Sequence, residues 1–320
     1  MTLSVSIVIP ALNEERYIEA CLKSVLEQVV DAPLEVIVVD GESTDDTAAI
    51  AQRMGVRVIA NPERSIPAGL NRGLEAAHGD VIIRFDAHSE MVRGYVSACL
   101  RALEDEEGAV NVGGWRQPVG EGPWGRALAA ALASPFGVGN SRIWRRPPPG
   151  TQRCDVDTVP SGCFPAAILR QARGWREDIL TNEDFELNHR LRRRGGRIVF
   201  DPDIYGIYRP RETYPDIVRQ YWRYGKWKAV MLSRAWESLR PRQVAPLGLL
   251  GVALGAPFSR HLRLALLGYA SVITAAAVRS RGGWRTAPTL ASIHLAWGLG
   301  FLTQSCREVR IGRAVRAGRG

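Results

Sequence analysis

The 320-residue chain has only five cysteines, Cys21, Cys99, Cys154, Cys163 and Cys306. They are odd in number, widely scattered and form no C-x-x-C. That pattern excludes a zinc cluster or a disulfide framework and implies reduced thiols in a cytosolic setting. Glycine is missing where phosphate-binding loops need it. The stretch after the first apolar run, "PALNEE", contains none, and no G-x-G-x-x-G follows any strand-like run. A sugar nucleotidyltransferase and a dinucleotide-dependent dehydrogenase are therefore disfavoured. No apolar run reaches the ~20 residues of a full membrane span. The first, "VSIVIPAL", has no basic segment before it and is broken by Pro10, so no secretion signal is expected. Internal repeats are absent, and the one biased tract, "RRPPPG" (Arg145–Gly150), reads as a loop.

What is present is globular in balance, with 46% hydrophobic and 23% charged residues. The length suits two domains, or one large domain with an appendage. The charge is unusual. A net +9 and a pI near 9.7 point to phosphates, anionic lipid or nucleic acid as partners.

The first 115 residues alternate strand and helix signals. Buried strands are expected at Val5–Ile9, at Glu35–Val39, in "VRVIA" and in "DVIIRFD". Asn13 stands where a helix cap would be, ahead of Ile18, Cys21, Leu22, Val25 and Leu26 at helical spacing. Ser43 and Asp46 have capping-box spacing for a second helix, and Ser65 with Pro67 opens a third. Alternating β and α units imply a mainly parallel sheet covered by helices on both faces. Ligands of such sheets bind beyond the carboxyl ends of the strands. Asn13 and Glu14, Asp40, and Asp86 with His88 all fall at those ends. Asp86 and His88 are two apart, so on extended chain both face one side while Ala87 faces the other. By itself the pair is either a metal site or the polar end of a strand.

From Trp115 to Thr158 the only clear element is a helix in "RALAAALAS". Order returns with "VPSGCF", a short helix near Ala166–Ala172, and "TNEDFELNHRLRRRGGRIVFDP". There Thr181 or Asn182 caps a helix ended by Gly195 and Gly196, and the strand "RIVF" follows. Beyond about Pro241 the composition becomes apolar in three segments, Val244–Phe258, Leu264–Val278 and Ala287–Thr303. Short spans, interfacial or re-entrant helices, and a buried hairpin are the alternatives. Basic residues flank every segment, so the positive-inside rule gives no clean topology. The arginines running on through "REVRIGRAVRAGRG" suit an anionic cytoplasmic leaflet. The expected division is residues 1–240 as a catalytic domain and 241–320 as a membrane-associated helical region.

Four segments, "VSIVIPALNEERYIEACLKSVLEQ", "EVIVVDGESTDDTAAIA", "GDVIIRFDAHSE" and "TNEDFELNHRLRRRGGRIVFDP", resemble in order and spacing the family 2 glycosyltransferases, inverting enzymes of the GT-A fold. The likeness covers about residues 4–230. "DAH" with the hydrophobic C-terminus is most similar to the branch that includes exopolysaccharide glucosyltransferases of the succinoglycan type.

The resemblance implies an α/β GT-A fold that moves a sugar from a nucleotide-diphosphate sugar, a UDP-sugar in the first instance, to a saccharide or polyprenyl-diphosphate-linked acceptor. Nucleic acid is then not a partner. Asp40 takes the base-binding role, helped by Pro10, Ala11 and Glu14; Gly41 stands where many relatives have a second aspartate. Arg64 is either a phosphate fork or a solvated loop arginine. Asn71 and Gly73 match a family pattern or serve helix packing. Asp86 and His88 become the metal candidates. His88 replaces the usual carboxylate, and an imidazole leans the site toward Mn²⁺ over Mg²⁺. Asp184 is the base by resemblance and Glu183 orients the acceptor, with the roles exchangeable. Gln220 and Arg223, in "RQYWRYGKWK", resemble the Gln-x-x-Arg-Trp element of processive relatives, with Tyr224 in place of Trp. The competing class is a non-catalytic membrane scaffold on a degenerate glycosyltransferase fold.

Overall fold

The structure is a computed structural model, and it describes residues 3–139, 142–232 and 241–317. In chain order the elements are β1 (Val5–Ala11), α1 (Ile18–Leu26), β2 (Leu34–Asp40), α2 (Thr47–Arg53), β3 (Arg57–Ala60), α3 (Ile66–Ala76), β4 (Val81–Arg84), β5 (Ser89–Met91), α4 (Tyr95–Asp105) and β6 (Ala109–Pro118). They continue with α5 (Pro123–Ala133), β7 (Cys154–Asp155), β8 (Cys163–Pro165), α6 (Ala166–Gln171), α7 (Glu183–Arg192), β9 (Arg197–Tyr208), α8 (Tyr214–Leu232), α9 (Pro241–Gly255), α10 (Arg260–Val278) and α11 (Thr286–Ala317). The chain forms two compact units. One holds residues 1–117 and 142–209, the other residues 118–141 and 210–320.

The first unit is built on a nine-stranded sheet ordered β3-β2-β1-β4-β8-β6-β9-β5, with β7 beside β9. Strands β3, β2, β1 and β4 run parallel, as the four apolar runs separated by helices require. From β8 onward the sheet turns antiparallel. Ile7, Ile9, Val38 and Ile83 pack under Ile18, Leu22, Val25 and Cys99 on one face. Val8, Ile37, Val39 and Ile82 pack with Leu70, Leu74, Phe164 and Trp175 on the other. The i, i+2 alternation of β1 and β2 thus divides each strand between two cores. β6 and β9 approach so closely that a Cβ on Gly114 would lie 1.6 Å from the Ile204 carbonyl oxygen. Only glycine permits that crossing.

Three caps differ from the sequence pattern. α1 begins at Ile18 rather than just after Asn13. Asn13 has φ 55°, and its Oδ1 accepts from the Thr44 N–H at 2.8 Å while its own N–H donates to Ser43 Oγ at 2.9 Å. Ser43 is consumed by that bridge, and Asp46 precedes α2 without a side-chain cap bond. Asn182 sits left-handed before α7 and likewise donates and accepts no cap bond through its side chain. For Asn13 and Ser43 a partner some thirty residues along the chain outcompetes the local cap. Ser65 does cap α3, accepting from Ala68 N–H. Asn71 exchanges two 2.8 Å bonds with the Trp175 backbone, and a Cβ on Gly73 would strike Val8. Gly73 therefore seats α3 on the sheet, while Asn71 ties it to the connection between α6 and α7.

The second unit is helical. α8 and α11 cross at glycines: a Cβ on Gly225 would be 2.0 Å from the Trp297 carbonyl oxygen, and one on Gly300 2.1 Å from that of Trp222. Small residues at such a crossing let two backbones touch. His294 is held from both sides, by Tyr269 Oη at 2.8 Å and the Gly137 carbonyl at 2.9 Å. α10 is the one helix, among the described residues, long and apolar enough to cross a membrane. Its 19 residues span about 28 Å, close to a bilayer's hydrocarbon core. Leu264, Leu267 and Val278 on it are exposed, which removes the buried hairpin as an account of this segment. Much of "REVRIGRAVRAGRG" lies outside the described side chains.

Candidate active site

The carboxyl ends of β1, β2 and β4 meet as the parallel sheet predicts. Ala11 and Asp40 are paired in register at the ends of β1 and β2, and the Gly41 N–H donates to the Ala11 carbonyl at 2.8 Å. Asp40 is buried. Its Oδ2 accepts from the Ser43 N–H at 3.0 Å, while its Oδ1 has no partner among the described residues. A buried carboxylate oxygen without a donor is costly, and a ligand N–H or O–H would satisfy it. Glu14 is held by Thr47 Oγ1, which accepts its N–H at 2.8 Å. Left-handed φ values at Asn13, Glu42, Arg64, Ser161 and Asn182 mark the loops of this unit. Non-glycine residues persist there only where surrounding contacts hold them.

Beyond β4, Ala87 is buried in the core, whereas Asp86 and His88 are partly exposed. The expected alternation is therefore present. His88 Nδ1 bonds Glu14 Oε1 at 3.0 Å, and its ring lies 5.3 Å from that of Tyr208, edge to face. Tyr208 in turn meets Trp144 at 5.0 Å. Asp86 is clamped by two guanidiniums, Oδ1 to Arg84 Nη2 at 3.1 Å and Oδ2 to Arg116 Nη1 at 2.8 Å. Burial would raise its carboxyl, but Arg116 and Arg84 outweigh burial and hold it well below the usual carboxylate range.

Arg84 is the centre of the cluster. Its Nη1 donates to Asp184 Oδ2 at 2.6 Å and its Nη2 lies 3.2 Å from Glu183 Oε1. Burial opposes its charge, yet Asp86, Asp184 and Glu183 keep the guanidinium more firmly protonated than usual. Arg116 also donates to Ser161 Oγ at 2.6 Å and lies over the Tyr208 ring. The two acids of "NED" have different surroundings. The Glu183 side chain is 5% exposed and that of Asp184 30%. Burial, and then the charge on Asp184, push Glu183 up to about 8. With Glu183 protonated, Asp86 and Asp184 balance Arg84 and Arg116.

That raised value gives a pH signature. An unfolded glutamate titrates near 4.5, so between there and about pH 8 the folded chain binds the extra proton. Stability then falls as pH rises through this window. The thermal midpoint of the wild type should drop between pH 5 and 8 relative to that of Glu183→Gln, which has no such proton. Parallel melting curves for the two proteins would contradict the burial of Glu183.

The remaining expected residues divide. Arg64 is exposed, on a left-handed turn closed by its N–H to the Asn61 carbonyl. Gln220 and Arg223 lie on α8 in the second unit, where Gln220 donates to Tyr224 Oη at 2.9 Å. Arg84 and Arg116 carry no motif role. Their signal was an arginine inside or ending an apolar strand, which burial obliges to find carboxylates. Among the described residues no three carboxylate, imidazole or thiol groups converge as a metal cluster.

This chain belongs to glycosyl transferase family 2, whose model matches residues 6–172. It is 30% identical to the succinoglycan biosynthesis protein ExoA of Rhizobium meliloti (strain 1021), across 92% of this chain and 93% of that protein. It is 25% identical to a dolichyl N-acetyl-α-D-glucosaminyl phosphate 3-β-D-2,3-diacetamido-2,3-dideoxy-β-D-glucuronosyltransferase of Methanococcus voltae, across 73% of this chain and 76% of that one. The solved mannosyltransferase PcManGT of Pyrobaculum calidifontis, a complex with GDP-Man and Mn²⁺, superposes with a TM-score of 0.66 over 94% of this chain and 88% of its own, at 19% identity. That likeness establishes the shared GT-A fold. The chain is accordingly a family 2 glycosyltransferase.

Proposed function

We propose that the chain transfers a sugar, with inversion, from a nucleotide-diphosphate sugar to a saccharide or polyprenyl-diphosphate-linked saccharide in exopolysaccharide or cell-envelope glycan synthesis. The observation that carries this is the convergence of Asp86 and the partly exposed Asp184 on one guanidinium at the carboxyl end of β4. Asp184 removes the proton of the acceptor hydroxyl as that oxygen attacks the anomeric carbon opposite the diphosphate. A single displacement inverts the centre. The unpartnered Oδ1 of Asp40 is matched to the imide N–H of a uracil base, with Pro10, Ala11 and Glu14 around it. Arg64, Gln220 and Arg223 are assigned to the phosphates or the acceptor. The names of the two curated relatives, one in succinoglycan biosynthesis and one with a dolichyl-linked acceptor, support the pathway type and the lipid-linked acceptor.

Asp86 and His88 would be the residues to hold a divalent ion, Asp86 sharing its oxygens with Arg84 and Arg116. Asp86 is ionised, and His88 Nε2 is left over by the bond from Nδ1 to Glu14. Such an ion would supply positive charge to the departing diphosphate, and the imidazole would favour Mn²⁺ over Mg²⁺. Residues 1–240 carry the chemistry. Residues 241–320 hold the enzyme on the membrane through α10, with Arg279 and Arg281 against an anionic cytoplasmic leaflet. The test is incubation of membranes carrying the full chain with labelled nucleotide sugars, Mn²⁺ or Mg²⁺, and lipid extraction. Label entering the lipid fraction, faster with Mn²⁺, is expected. Label remaining wholly water-soluble rejects the lipid acceptor, and no transfer from any donor favours the scaffold.

A further inference from the structure

Arg84 ends β4 on rigid backbone: its N–H donates to the Gly162 carbonyl at 3.0 Å, and the next N–H donates to Val8 at 2.9 Å. Its side chain is 8% exposed. From this fixed base one guanidinium reaches the donor-side carboxylate, Asp86, through Nη2 and the acceptor-side carboxylate, Asp184, through Nη1. α7 starts from a left-handed Asn182 with no side-chain cap, and among the described residues Asp184 Oδ2 accepts from Arg84. Among the described residues Asp184 Oδ1 meets only the Phe185 N–H at 3.2 Å, which leaves room for an acceptor.

Resting on the glycosyltransferase reading above, we propose that Arg84 is a positioning residue that ties the base Asp184 to the donor-binding carboxylate Asp86, fixing the distance across which the sugar moves. A lysine cannot replace it. The guanidinium fork presents separate nitrogens to separate carboxylates, whereas an ammonium is a single point of charge. The alternative role, a plain counter-charge for the buried carboxylates, would need no such fork.

The experiment uses the full-length chain and the donor found by the labelling screen. Arg84→Lys should lower kcat by about 10²-fold, the cost of about 1 Å of misplacement, while the donor KM changes little. Arg84→Ala leaves Glu183 buried beside an empty space. The companion Arg84→Ala/Glu183→Gln removes that carboxylate, so a folded protein is available. Added guanidinium chloride at non-denaturing concentration should restore either variant by about tenfold and leave the wild type unchanged. Full kcat in Arg84→Lys, a loss confined to donor KM, or a folded Arg84→Ala without rescue overturns the proposal. A readout without turnover completes it: the shifts in melting temperature of Arg84→Gln and Asp184→Asn should be non-additive, and additive shifts overturn the tie. If no donor yields transfer with the wild type, the functional reading fails while the non-additivity still judges Arg84.

Discussion

Asp184→Asn is expected to lower sugar transfer by about 10³- to 10⁴-fold, at the upper end of what a positioned general base contributes, without weakening nucleotide binding. The amide is nearly isosteric and can turn its oxygen toward Arg84 Nη1, preserving the 2.6 Å contact of the wild type. It cannot take a proton from an acceptor hydroxyl. Among the described residues Asp184 bonds Arg84 and the Phe185 N–H rather than Asp40 or Glu14 at the nucleotide end, so calorimetric titration with a nucleoside diphosphate should return a wild-type affinity. Labelled transfer measured beside that titration separates chemistry from binding. If transfer survives within about tenfold, the base is Glu183 instead, and Glu183→Gln should then be the inactive variant.

Asp86→Asn should do damage of a different kind, because it removes charge from the middle of the cluster. Asp86 receives Arg84 on one oxygen and Arg116 on the other. With the amide, two buried guanidiniums lose their shared partner, and breaking a buried pair from one side costs about 3–5 kcal/mol. The expected fall in thermal midpoint is on the order of 10 °C. Donor binding should weaken as well, since Asp86 is assigned to the diphosphate side, so both KM for the donor and kcat should suffer. A variant with an unchanged melting point would mean that Arg84 and Arg116 are adequately served by Asp184 and Ser161. Unchanged transfer would remove Asp86 from the donor site.

Much of the first unit was legible because its signals are local. Val5–Ile9 is apolar but for Ser6, and Val36–Val39 is wholly apolar, as a strand buried on both faces needs. The Ile18 to Leu26 spacing is that of a one-sided helix. The carboxyl-end rule then placed Asp40, Asp86 and His88 at one rim. Caps were less legible. Asn13 and Ser43 have the right chemistry for helix starts, but they bond each other across the β1 and β2 loops. A local pattern cannot reveal a better partner thirty residues away. The antiparallel half of the sheet was obscured for a related reason. β9 was legible only in its opening "RIVF"; β6 and the rest of β9 carry glycine, aromatic and charged residues and do not read as plain apolar runs.

The composition break near residue 240 marks where the side chains become apolar. The compact units instead join α5 and α8 to the C-terminal helices, since backbone proximity at Gly225 and Gly300 rather than hydrophobicity sets that packing.

The sequence by itself determined the family, the alternating frame and the types of group at the strand ends, because these follow from periodicity and motif order. Tertiary structure alone decided the pairing. Arg84 and Asp184 are 100 residues apart, and nothing in either segment names the other. Burial brought them together, since a guanidinium and carboxylates removed from water are tolerable only in each other's company.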